Sequence, residues 1–209
     1  MSLSHLLPLL DYASVLVFAL TGALVASRGQ LDITGFIFFA TLTGIGGGTL
    51  RDLLLGRTPF WIERSELLLL TSAAAVLVFF TAHLLESRYR VLIWLDAFAL
   101  AVAIPAGVGT ALAAGADPVV TVAMGVITGT LGGMMRDVVG NEVPLVLKQG
   151  ELYITAAFGG ALAAVILIYV GMPRGAALIV CGMVVLALRA GSMTLGWRLP
   201  TYKARPPRV

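Results

Sequence analysis

Two arginine-aspartate pairs, Arg51-Asp52 and Arg136-Asp137, close stretches that are otherwise free of charge. A glycine-rich run precedes each one. Gly44-Ile45-Gly46-Gly47-Gly48-Thr49-Leu50 leads into the first, and Gly129-Thr130-Leu131-Gly132-Gly133-Met134-Met135 into the second. Asp11 and Asp96 stand earlier in the chain at matching places. Guanidinium and carboxylate groups inside apolar runs are costly, so they pair with one another or mark an ion or substrate pathway. They do not suggest covalent catalysis. No nucleophile-base arrangement, metal-ligand spacing, phosphate loop or Gly-x-Ser-x-Gly elbow accompanies them. The expectation is a non-enzyme with no cofactor, no catalytic residue, and no metal beyond transient monovalent cations.

These residues recur at a constant spacing of 85, as from Asp11 to Asp96 and from Asp52 to Asp137. Thr43-Gly44 likewise recurs as Thr128-Gly129, Pro59 as Pro144, and Glu66 as Glu151. The chain is therefore built of two similar units. Its residues are 59% hydrophobic and only 12% charged, against about 25% charged in a soluble domain. The apolar runs are long enough to cross a hydrocarbon core of about 30 Å. The positive balance of +3 reflects a short basic tail and does not point to nucleic acid. The single cysteine, Cys181, lies in an apolar run and carries no redox information.

The pattern predicts an all-α polytopic membrane protein with seven spans, near residues 7–27, 33–55, 65–85, 91–112, 118–139, 150–170 and 174–191. The 209 residues form a single membrane domain. Unit one covers about 6–87, unit two about 91–172, a seventh span 174–191, and a basic tail 197–209. Three spans per unit place the second copy upside down, as in transport proteins with a pathway between inverted repeats. Leu6 to Ala26 lacks a basic leader and has a counterpart in unit two, so it is not expected to be a signal peptide. Arg28, Arg88, Arg90, Lys148, Arg198, Lys203, Arg205 and Arg208 fall on one side. Arg57, Arg64 and Arg174 fall on the other. The positive-inside rule puts the C-terminus in the cytoplasm and the N-terminus outside. The basic tail is a topology signal that could also touch anionic membrane lipid.

Clustered glycine weakens a helix by about 1 kcal/mol per residue relative to alanine. Breaks at Gly44, Gly46, Gly47 and Gly48, and at Gly129, Gly132 and Gly133, would expose carbonyl ends suited to a cation. Thr43, Thr49 and Thr128 would add neutral oxygens. The plainer alternative is close packing through the small-residue rows Ala40/Gly44/Gly48 and Gly125/Gly129/Gly133. Asp11 is expected to meet Arg51, and Asp96 to meet Arg136, forming with Asp52 and Asp137 a charge cluster at each mouth. Such clusters serve either as gates or as structural ion pairs. Pro59 and Pro144 read as helix stops, and Pro105 as a kink.

The doubled Gly-Gly-x-x-Arg-Asp motif, on this span pattern, resembles prokaryotic members of the trimeric intracellular cation channel (TRIC) family over about residues 6–191. The resemblance implies a homotrimer with a cation pore in each protomer, chiefly for potassium, with sodium left open. It implies pore-forming second and fifth spans bent at Gly46–Gly48 and Gly132–Gly133. Leu131 replaces the equivalent of Gly46, so the second bend would be milder. The lysine-glutamate-valine motif of animal relatives is missing from the second span, and inositol-lipid control is not carried over. The rival is a secondary carrier for a small solute such as glycine, for which Arg51 or Arg136 could hold a carboxylate. A non-transporting helical scaffold is a third class. The expected location is the bacterial inner membrane. Reporter fusions check the orientation: a fluorescent protein on the basic tail should fluoresce in the cytoplasm, and alkaline phosphatase there should stay inactive.

Overall fold

Local capping sets the helix starts. The Asp32 side chain accepts a hydrogen bond from the Gly35 backbone N–H at 2.8 Å and opens one helix. Pro118 follows Asp117 at the first position of another, where its missing N–H and fixed φ do no harm. The Ser87 hydroxyl accepts from the Arg90 N–H. The computed structural model describes residues 3–85, 87–148 and 152–200. Among the described residues every regular element is helical: α1 (Leu3–Arg28), α2 (Ile33–Leu54), α3 (Phe60–Glu63), α4 (Glu66–Thr81), α5 (Arg88–Ala113), α6 (Pro118–Val139), α7 (Ile154–Tyr169) and α8 (Arg174–Leu195). Short 3₁₀ turns cover Ala82–Leu84 and Leu145–Leu147. Glu151, Lys203, Arg205 and Arg208 lie outside the described residues.

Among the described residues six helices are long and apolar enough to cross a membrane, α4 when counted through the 3₁₀ turn to Leu84. The other long one, α7, is apolar and 16 residues in length, about 24 Å at 1.5 Å per residue. The helices α1 and α5 form the centre, packed on each other and respectively on α2 and α6. The helix α4 lies against α1 and α2, α7 against α6 and α8, and α8 against α5. Leu7 of α1 meets Gly109 of α5, while Phe18 clusters with Ala99 and Ala103. Contacts advance along α1 as they retreat along α5, so the two run antiparallel.

The expected unwinding at the glycines does not occur. Helical structure is continuous from Ile33 to Leu54 and from Pro118 to Val139, and no stretch of free carbonyls opens at Gly46–Gly48 or Gly132–Gly133. An unwound turn leaves several backbone groups unpaired, each costly away from water. The glycine helix penalty of about 1 kcal/mol is smaller. The glycines instead let backbones touch. A Cβ at Gly47 would overlap the Thr128 carbonyl oxygen, and one at Gly132 would overlap that of Thr43. These contacts are equivalent under the 85-residue spacing and fix the α2–α6 crossing.

Pro105 lies inside α5, which continues through it. Proline cannot donate to the carbonyl four residues earlier, here Ala101. Gly182 of α8 packs directly on that carbonyl, so the freed oxygen marks where α8 docks.

Close approach at Gly47 is checked by substitution. Gly47→Ala should destabilise the folded protein by about 1–3 kcal/mol, the usual range for overpacking, because its contact is backbone. Gly46→Ala should cost less, since its Cβ meets only the flexible end of Met135. Thermal unfolding in detergent separates the two.

Candidate functional site

Each Arg-Asp pair is built by one helix end and locked by the segment that follows. Arg51 donates from Nε to Asp52 Oδ1 at 2.8 Å and from Nη2 to Asp52 Oδ2 at 3.1 Å. Asp52 Oδ2 also accepts the Phe60 N–H at 2.9 Å and so caps α3. In unit two, Arg136 Nε donates to Asp137 Oδ1 at 2.8 Å, and Asp137 Oδ2 accepts the Leu145 N–H at 2.8 Å. Pro59 and Pro144 therefore stand just before elements tied back to the aspartates. They do more than stop a helix.

The partner aspartates come from the central helices. Arg51 Nη1 donates to Asp11 Oδ1 at 3.1 Å, and Arg136 Nη1 to Asp96 Oδ1 at 3.0 Å. Arg136 Nη1 also reaches the Thr21 hydroxyl at 2.8 Å. All six charged candidates are buried, none more than 6% exposed. A buried charge persists only when paired and hydrogen-bonded, and here each has charged partners within its cluster.

Two arginines outside the sequence-level candidates join these clusters. Arg64, just after α3, donates from Nη2 to Asp11 Oδ2 at 2.7 Å and stacks near the rings of Tyr12 and Phe60, both at 5.6 Å. Tyr12 donates its hydroxyl to Glu66. Arg189 of α8 is buried, with its guanidinium 4.8 Å from the Tyr153 ring centroid. The Tyr153 hydroxyl sits beside Asp96 and Arg136 around Gly133. An arginine deep in an apolar run was the available signal for Arg189. For Arg64 the only signal was a lone loop charge.

At the Arg51 end lies a cavity of about 230 Å³ lined by Asp11, Arg51, Arg57, Phe60, Glu63 and Arg64 among others. It shares Asp11, Arg51 and Phe60 with a pinched space of about 10 Å³ between α1, α2, α5 and α6. That volume holds about one water. Gly44, Gly47, Gly48, Thr43 and Thr128 line the pinch. Thr43 and Thr128 each donate their hydroxyl to the carbonyl one turn earlier, both at 2.6 Å, and pack against Gly22 and Gly107.

Thr49, expected as a pathway oxygen, is elsewhere. Its hydroxyl bonds the Ile45 carbonyl at 2.7 Å and accepts the Trp61 indole N–H at 2.9 Å, because the short α3 brings Trp61 over it. Gly46 faces Met135, and Gly129 packs on Leu100 and Ile104. Gly132 belongs to the helix crossing, and Gly133 to the Asp96 cluster.

The sequence model described as "Glycine transporter" matches residues 8–83 and 93–169. A UPF0126 membrane protein of Vibrio cholerae is 36% identical over 95% of this chain and 84% of its own length. The UPF0126 inner membrane protein YadS of Escherichia coli K12 is 35% identical over 92% of this chain and 94% of its own. Among solved structures, the TRIC trimeric intracellular cation channel orthologue from Rhodobacter sphaeroides superposes with a TM-score of 0.88 at 47% identity, covering 91% of this chain and 98% of that one. A prokaryotic TRIC channel solved in 0.5 M KCl gives a TM-score of 0.86 at 28% identity, covering 94% of this chain and 100% of that one.

The buried clusters differ from surface pairs in what their loss should do. Arg136→Gln would strand Asp96 and Asp137, with an expected cost of about 3–5 kcal/mol. Arg28→Gln, which breaks the roughly one-third exposed pair with Glu142 at 3.0 Å, should cost under about 1 kcal/mol; thermal melts of both variants test the contrast. Sequence match, fold and doubled Arg-Asp cluster agree: the chain belongs to the prokaryotic TRIC family.

Proposed function

We propose that this chain is a cation channel of the bacterial inner membrane, passing potassium or a similar monovalent cation down its electrochemical gradient. The observation that carries it is the cavity at Asp11 and Arg51 narrowing to the α2–α6 glycine crossing. That geometry occurs in a fold shared with the Rhodobacter sphaeroides cation channel. The path runs past Gly44, Gly47 and Gly48, and the two threonine oxygens of Thr43 and Thr128 replace the carbonyl ends expected from broken helices. A space of about 10 Å³ corresponds to a shut passage that must widen to conduct. Arg51 and Arg136 are compatible with a cation because their carboxylate neighbours offset their charge.

The proposal includes two units, about 6–87 and 91–172, inverted across the membrane, with a seventh span at 174–191 and a tail at 197–209. The antiparallel run of α1 and α5 and the matched Arg-Asp geometries support it. The N-terminus would face outside and the C-terminus the cytoplasm. Each protomer of a homotrimer would hold its own pore, as the name of the Rhodobacter sphaeroides relative suggests. Asp52 and Asp137 would shape the mouths through the segments they cap.

The description "Glycine transporter" favours a second reading, a carrier that alternates access to a small zwitterion. Flux distinguishes them. Purified protein in a planar bilayer under asymmetric KCl should give unitary currents that reverse near the potassium equilibrium potential. Saturable glycine uptake into vesicles without unitary current would overturn the channel in favour of the carrier.

A further inference from the structure

Charge accounting at the Arg51 mouth leaves one carboxylate to be matched. The Arg51 fork is committed to Asp52 through two hydrogen bonds, and that pair is close to neutral. Arg57 and Glu63 also line the cavity, and the carboxylate that bonds both Arg51 and Arg64 is Asp11. One Asp11 oxygen takes Arg51 Nη1 and the other takes Arg64 Nη2 at 2.7 Å. Arg64 is thus the counter-ion of Asp11. Its position differs from that of Arg51: the Arg64 side chain is 25% exposed, against 2% for Arg51. It lines the cavity of about 230 Å³ and sits on the short link between α3 and α4. Its Nη1 is buried without a hydrogen-bond partner in the protein. The 85-residue spacing places Gln149 at the matching sequence position of unit two, where the Asp96 cluster has Arg189 beside Tyr153 instead.

We propose that Arg64 is a tethered cation, occupying at Asp11 the place a permeating cation takes on entry, and that it thereby limits conduction through this mouth. The proposal rests on the cation-channel function above. A quarter-exposed guanidinium held by one ion pair and two ring contacts can leave and return, and while bound it cancels the field that would draw cations to the pinch. Arg51 cannot play this part, because Asp52 holds it from below.

The test uses unitary conductance of the full chain in planar bilayers. Arg64→Gln, copying unit two, should raise conductance about two- to tenfold in about 0.1 M KCl. The gain should shrink in about 1 M KCl, where the screening length falls to about 3 Å. Arg64→Lys should stay near the unsubstituted value. In Arg64→Cys, a positively charged methanethiosulfonate added from this side should lower conductance and a negatively charged one should raise it. The unsubstituted chain, whose Cys181 is buried, serves as the blank. Equal conductance for the Gln and unsubstituted chains would overturn the proposal, as would same-direction responses to the two reagents. So would loss of folding in both the Gln and Cys variants, which would make Arg64 a framework residue. An unsubstituted chain that carries no unitary current would instead defeat the channel function itself.

Discussion

The need to neutralise charge where water is scarce organises this molecule. An arginine buried among apolar helices is tolerable only with anions placed around its planar donor fork. The adjacent aspartate supplies one anion, and a central helix supplies the second. That requirement fixes the register of α2 against α1 and of α6 against α5, since a one-turn slip would carry the guanidinium about 5.4 Å from its partner. It also fixes the chain beyond each helix, because the same aspartate caps the next segment through Phe60 or Leu145. Ion pairing, helix register and loop path are thus one linked arrangement, present twice.

Small residues do complementary work. Burial of polar groups demands that helices approach closely, and lipid offers little hydrophobic drive for them to do so. Glycine at 47 and 132 removes the atoms that would hold α2 and α6 apart. Gly47 at this crossing also lines the small space that adjoins the Asp11 cavity. In the proposed channel, packing and passage compete for the same residues, and any widening must loosen contacts that keep the helices together.

Much of this was legible in the sequence. The constant spacing located both charge clusters, and burial rules predicted the partners Asp11 and Asp96. The glycine runs were harder, because the same composition permits a break or a close contact. The choice depends on what lies opposite, here the Thr128 and Thr43 carbonyls. Nothing local to Thr49 reveals that α3 folds Trp61 back onto it. The sequence shows Arg64 only as a topology charge and gives Arg189 no place in a cluster, for different reasons. The first depends on the course of a short link, and the second belongs to a helix outside the repeat, where spacing gives no guide.

A molecule made of two look-alike halves must still decide which of them receives its odd helix. Leu20 occupies the place in α1 that Pro105 occupies in α5, so at that level α1 keeps a backbone N–H that α5 lacks, and α5 presents the Ala101 oxygen to Gly182. This imino acid joins Leu131 for Gly46 and Gln149 for Arg64 among the differences between the halves. It marks where α8 meets α5.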